Sequence, residues 1–279
     1  MRFLIFLAAL ALGACSQAPV PEPNNPLDGL GKITDLRSGE TLSPEQLVAR
    51  LAAHPRVMVG EKHDNPYHHR IELWLVQNLP QRRPQGSVLM EMISPNQQAK
   101  VEKVKQALRG NCALPDERVA QLIDWQKGWK WSLYGEVVMA AMRAPYPLWS
   151  ANLDREEIMA FYRQPVFPQG QLSVRPAVQK ALEDTIRTSH GGKIEPRQLH
   201  AMLAIQQQRD RRMAERLLAA STPALLIAGG YHASKWVGVP LHVRDLQPGA
   251  QPRVLMLAEQ GAQVDGRMAD YLWVTPPVK

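Results

Sequence analysis

Short apolar runs alternate along this chain with longer stretches in which apolar residues recur at helical spacing. The runs fall at Arg56–Gly60, Ser87–Met90, Pro147–Ala151, Thr222–Ala228, Pro252–Leu257 and Tyr271–Val274. Continuous apolar runs bounded by turn residues suit strands buried on both faces. The intervening stretches predict helices. Ser43 caps the first, with Pro44 at its first helical position and Gln46 as the reciprocal capping-box partner, and it runs to about His54. Others are predicted over Pro66–Leu79, Asn96–Arg109, Asp116–Ile123, Leu133–Met142, from the cap Asp154 through Phe161, Arg175–Thr188 and Glu195–Ala219. Strands alternating with helices predict an α/β fold: a mostly parallel sheet flanked by helices on both faces. Ligands of such sheets sit beyond the carboxyl ends of the strands. The unusual polar residues fall at those ends: Glu61, His63, Glu91, Asn152 and His232.

The N-terminus departs from this pattern. One positive charge at Arg2 precedes an unbroken apolar run, Phe3–Leu12, which leads into Gly13-Ala14-Cys15. The run is too short to span a bilayer and has the flanks of a secretory signal. Leu12-Gly13-Ala14-Cys15 fits a lipobox, with cleavage before Cys15 and acylation of its thiol. Several acyl chains anchor stably where one would not. Ser16, rather than Asp, follows the cysteine, which in a Gram-negative host favours the outer membrane. Residues 1–14 are thus read as a lipoprotein signal peptide, and 15–40 as the lipidated cysteine with a tether that carries Pro19, Pro21 and Pro23. Residues 41–279 form a single α/β domain.

Acylation of Cys15 leaves Cys112 as the remaining thiol, so no intrachain disulfide is expected. The formal charge is +7, scattered in short clusters such as Arg209-Asp210-Arg211-Arg212. No basic stripe is interleaved with aromatics, which argues against nucleic acid. The excess of cations suits anionic lipid or carboxylate ligands.

Candidate chemistry concentrates in a few segments. In Gly60-Glu61-Lys62-His63, glutamate and histidine two residues apart share a side while the chain is extended. They can bind a metal, pass a proton or hold a ligand, or simply tie strand to helix as a buried pair. His68 and His69 are adjacent on a predicted helix, so at most one can face the same point. Gly229-Gly230-Tyr231-His232 delivers a second histidine after a strand, and Glu91 an acid after another. Trp125, Trp129 and Trp131 crowd the segment that ends at Tyr134; they can wall a flat ligand or an interface, or belong to the core. Tyr134 offers a phenolate to a ferric haem. Lys62 and Lys235 flank the two histidine motifs and could pair with ligand carboxylates.

With these residues assembled, the chain resembles the ChaN family of iron-regulated lipoproteins, within the wider Tiki/TraB/erythromycin-esterase-like superfamily. The resemblance rests on the decapeptide Gly60–His69, Glu91-Met92, Trp131–Tyr134, Ala151-Asn152-Leu153, Met213-Ala214, Ala228–His232 and Gly238-Val239-Pro240. It implies haem binding: two cofacial haems inside a homodimer, each iron ligated by a tyrosine of one subunit, with histidine and lysine of the other on the propionates. Tyr134 and Tyr231 are the candidate iron ligands, and His63, His232, Lys62, Glu61 and Glu91 complete the candidate haem-binding set. It also implies an iron-acquisition role at the outer membrane, in which a haem receptor there is a further partner. The alternative is a metal-dependent hydrolase in which Glu61, His63, Glu91 and His232 hold a divalent ion with an open position for water. No His-Glu-x-x-His motif supports it.

Overall fold

The computed structural model describes residues 27, 29–110 and 113–278; the signal sequence, Cys15, the proline-bearing part of the tether and Cys112 lie outside the described residues. The chain order is β1 (Lys32–Asp35), β2 (Thr41–Leu42), α1 (Pro44–Ala52), β3 (Arg56–Glu61), α2 (Pro66–Arg82), β4 (Ser87–Met90), α3 (Gln98–Arg109), α4 (Asp116–Leu122), α5 (Trp131–Arg143) and β5 (Leu148–Ser150). It continues with α6 (Arg155–Arg163), α7 (Pro176–Ser189), α8 (Pro196–Ala219), β6 (Ala224–Gly229), α9 (Gly230–Ala233), α10 (Val239–Leu246), β7 (Arg253–Glu259) and β8 (Tyr271–Thr275).

The strands form one eight-stranded sheet in the order β2-β1-β8-β7-β3-β6-β4-β5. From β8 to β5 every pair is parallel, and β1 and β2 add an antiparallel edge. The α/β architecture is the one the alternation of runs predicts. One boundary is corrected: Lys32–Asp35, assigned to the tether, form β1 and pair with β8. Only Ile33 of that strand is buried, so its apolar signal is too sparse to read.

Strand parity divides the core. Val57 and Val59 of β3 join α1, α2, α3 and α5 in one apolar cluster. Met58 joins α8 and α10 in the other, on the opposite face. The Ser43 capping box forms as expected. Helix α2 does not stop at Leu79 but passes through Pro80 to Arg82. A proline cannot donate to the carbonyl four residues back. Here the Tyr146 hydroxyl donates to that carbonyl, Val76 O, at 3.2 Å, so it is not left bare.

Candidate functional site

The site lies at the carboxyl ends of β3, β6 and β4, the central strands of the sheet. Glu61 closes β3 in the parity of Val57 and Val59, and therefore points toward α2 and α5. There it meets a polar cluster inside the apolar layer. The Tyr134 hydroxyl donates to Glu61 Oε1 at 2.6 Å, and His63 Nδ1 lies 2.8 Å from the same oxygen and 3.1 Å from the Tyr134 hydroxyl. His69 Nδ1 is 3.1 Å from Glu72 Oε2 and 3.4 Å from Glu61 Oε2. The other nitrogen of His69 is 3.1 Å from the His63 carbonyl oxygen. Of the adjacent pair, His69 faces this cluster, while His68 Nδ1 accepts from the Lys62 backbone N–H at 2.9 Å.

Burial pushes Glu72 up to about 8, and the nearby Glu61 charge adds to the effect. Burial likewise raises the Tyr134 phenol far above its ordinary value, reinforced by Glu61 as neighbour and acceptor. Burial opposes the charging of His63, but its hydrogen bond to Glu61 and the charges of Glu91 and Glu61 outweigh that cost and raise its pKa.

Glu91 lies on the other side. It is the residue after β4 and turns toward α8. Glu91 Oε2 accepts the Gly229 backbone N–H at 2.8 Å, and Oε1 lies 3.4 Å from His232 Nε2. His232 Nδ1 lies 2.6 Å from Asp210 Oδ1, with the Gln206 amide 3.1 Å from the same nitrogen. Burial works against charge on this imidazole, yet Glu91 and Asp210 outweigh it and raise His232 to about 10. The imidazolium in turn overcomes burial at Glu91 and holds it well below the usual carboxylate range. At Asp210 burial prevails and lifts the acid to about 6. Asn152 donates to the Glu91 carbonyl at 2.9 Å, which braces the turn after β4.

His63 joins the two clusters. A β-carbon on Gly229 would come within 2.8 Å of His63 Nε2, so glycine there is what lets the ring lie against the end of β6. The ring also meets Trp129 edge-on at 4.8 Å. On its other side opens a cleft of about 530 Å³. Leu182, Ile186, Met202, Met256, Val264 and Met268 form its apolar walls, and Glu61, His63 and His232 stand at its polar end. Tyr231 lines the same cleft and is 59% exposed.

The predicted site residues thus separate. Glu61, His63 and Tyr134 come together, as do Glu91 and His232, while Lys62 and Tyr231 border the cleft. Lys62 pairs with Glu259 at 2.9 Å. Lys235 pairs with Asp270 at 2.8 Å and lies away from the cleft. Tyr134, a candidate iron ligand, is 1% exposed, and its hydroxyl donates to Glu61, whereas the other candidate, Tyr231, is exposed at the cleft. The four residues of the hydrolase alternative divide between the two clusters: Glu61 and His63 on one side, Glu91 and His232 on the other, with both nitrogens of His232 facing carboxylates. Of the tryptophans, Trp125 and Trp131 pack edge-on against each other at 5.3 Å beside the core, and Trp129 touches His63.

Sequence reasoning missed Asp210, Gln206 and Glu72. Asp210 was legible only as part of a charged run. Its position, three and four residues before the buried Met213 and Ala214, puts it on the apolar stripe of α8. Glu72 likewise interrupts the buried stripe of α2, next to Ile71. An acid on a buried stripe is the signal that could have found both.

Residues 47–243 match the family described as haem-binding uptake, Tiki superfamily, ChaN. The chain belongs to the ChaN family. This ChaN-family fold superposes on the solved structure of ChaN of Campylobacter jejuni, described as binding haem cofacially, with a TM-score of 0.80 and 28% identity over 87% of this chain and 96% of that one. The type III effector HopBA1 is a more distant likeness, with a TM-score of 0.45 and 14% identity over 84% of this chain and 93% of that one. An erythromycin esterase EreC mutant gives 0.47 and 12% over 89% and 83%. Neither of these two bears on function. No curated protein matches the chain significantly.

The cleft suits the ligand of the family. Its volume falls within the range of small-molecule and cofactor sites, its walls are apolar, and a phenol stands exposed at its border.

Proposed function

We propose that this protein is a haem-binding uptake protein that receives haem in the cleft between β6, β7, α7 and α8, with Tyr231 as iron ligand. The observation that carries the reading is the exposed Tyr231 phenol beside a large apolar cleft in a chain of the ChaN family. Haem, when bound, supplies a ferric iron with a position for a hard oxygen donor, which a phenolate fills. The chain's own residues do the remaining work. Leu182, Ile186 and Met202 withdraw apolar surface of the ligand from water. Lys62, half exposed at the border of the cleft, offers a cation to a carboxylate once it leaves Glu259. His63 presents its outer nitrogen from a ring fixed by Glu61.

The wider role follows the same reading. Cys15 anchors the chain by lipid to the outer membrane, within reach of a haem receptor. Two chains pair so that their haems lie face to face, which would cover the apolar walls that one chain alone leaves open. Titration of the protein with ferric haem tests this. A saturable Soret band at one haem per chain, of tyrosinate type and accompanied by a monomer-to-dimer shift in light scattering, is expected. Tyr231→Phe should alter that spectrum and Tyr134→Phe should not. Absence of saturable binding, or an unaltered spectrum in Tyr231→Phe, would overturn the reading.

A further inference from the structure

The Glu61–His69–Glu72 cluster is chemically incomplete. His69 Nε2 lies 3.1 Å from the His63 backbone carbonyl, a group that can only accept, so this nitrogen carries a hydrogen. In the neutral ring Nδ1 is then a lone pair. It is directed at Glu72 Oε2 and Glu61 Oε2, at 3.1 and 3.4 Å. Two carboxylate oxygens and this nitrogen thus converge on one point, which a proton or a cation has to bridge. The remaining oxygens sharpen the point. Glu61 Oε1 receives the Tyr134 hydroxyl, but Glu61 Oε2 and Glu72 Oε1 accept no hydrogen bond from the described residues. Both glutamate side chains are wholly buried and His69 is 4% exposed, so bulk water does not complete the set.

Buried carboxylates that lack donors require a proton or a cation. We infer that Glu61, His69 and Glu72 form a buried site for a divalent transition-metal ion, behind the polar end of the cleft and filled without haem. The spacing fits. An ion held at about 2.0–2.1 Å by tetrahedrally disposed N and O ligands has ligand edges of about 3.3 Å. The three donors here lie within 4.8 Å of one another, and the two measured edges from His69 bracket that ideal. A divalent ion on two carboxylates and a neutral imidazole leaves the buried site uncharged. The outer contacts are those that metal ligands use: the distal N–H of the histidine on a backbone carbonyl, and a hydroxyl on the spare oxygen of a ligating carboxylate. Because the site is sealed, the ion serves to tie the end of β3 to α2 rather than to present a labile water.

The test is metal analysis of the full chain, purified in detergent without haem after growth with supplemental zinc and manganese. About one zinc or manganese per chain is expected, with an anomalous peak between the two glutamates in crystals. Glu72→Gln, nearly the same shape, should lower occupancy about tenfold or more with unchanged circular dichroism. His69→Ala should do the same, and His63→Ala should keep the metal. Metal-free protein that neither zinc nor manganese fills after refolding in their presence would overturn the inference, leaving the cluster to be neutralised by protons. Metal retained in Glu72→Gln and lost in His63→Ala would overturn it too, by placing the ion elsewhere. Neither result depends on haem uptake by the cleft.

Discussion

Two clusters stand back to back at the carboxyl ends of the sheet, and each combines two buried acids with a histidine. On the α8 side, His232 turns both ring nitrogens to carboxylates, Asp210 and Glu91, and becomes a fixed imidazolium. That side supplies its own cation. On the α2 side, His69 spends one nitrogen on the backbone carbonyl of His63 and has a single nitrogen left for Glu61 and Glu72. The same residue types therefore give each acid its own ring nitrogen in one place, and in the other leave one nitrogen to two acids, a set that a proton or a metal ion can bridge. The lesson is that ring orientation, fixed by one backbone contact, decides which chemistry a buried Glu–His cluster performs.

The largest effect that would break this comparison is expected on the closed side. Glu91→Ala strands the His232 charge and the Gly229 N–H, and should cost about 3–5 kcal/mol in chemical denaturation. A loss comparable to that of a surface substitution would show the triad to be dispensable. The next effect is on pH. Burial, together with the Arg211 charge, holds His242 down at about 3; Asp245 opposes this and His232 adds to it. The unfolded chain binds this proton near pH 6.5 and the folded chain does not. Stability should therefore rise as pH climbs from about 3 to 6.5, with a total on the order of 5 kcal/mol at most. His232 has the opposite sign. Its contribution is fully present below about 6.5 and is lost as pH rises through about 10. Thermal melts across pH should show both limbs, and His242→Leu should flatten the acid limb alone.

Smaller effects sharpen the contrast. Tyr134→Phe removes the donor to Glu61 Oε1 and should cost about 1–2 kcal/mol while leaving the haem spectrum intact. Tyr231→Phe should do the reverse. Its ring is 59% exposed, so stability should stay within about 0.5 kcal/mol as the haem spectrum changes. Equal behaviour of the two variants in either measurement would erase the distinction between a buried, positioning tyrosine and an exposed, ligating one. Lys62→Ala should be smaller still, at about 0–1 kcal/mol, because its ion pair with Glu259 is exposed to solvent.

Much of the frame was legible in the sequence for a physical reason. Continuous apolar runs such as Val57-Met58-Val59 and Leu225-Leu226-Ile227 can be satisfied only between two helical layers, and the polar residues that end them must emerge at one edge of the sheet. The runs thus located Glu61, Glu91 and His232, and the Ser43 capping box announced α1. The β1–β2 edge is hidden because it buries so little, and α10 because a helix of 8 residues holds little more than two turns of periodic pattern.

What the sequence by itself determined is the alternation, the end of the sheet that bears the chemistry, and the family's residues. What only the tertiary structure decided is which of those residues meet. Strand parity sends Glu61 toward α2 and Glu91 toward α8, although both follow apolar runs of the same kind. Helix packing brings Glu72 and Asp210 to them from afar, and it seals Tyr134 while leaving Tyr231 exposed. Facing direction and burial are properties of contacts between segments distant in sequence, and local patterns do not encode them.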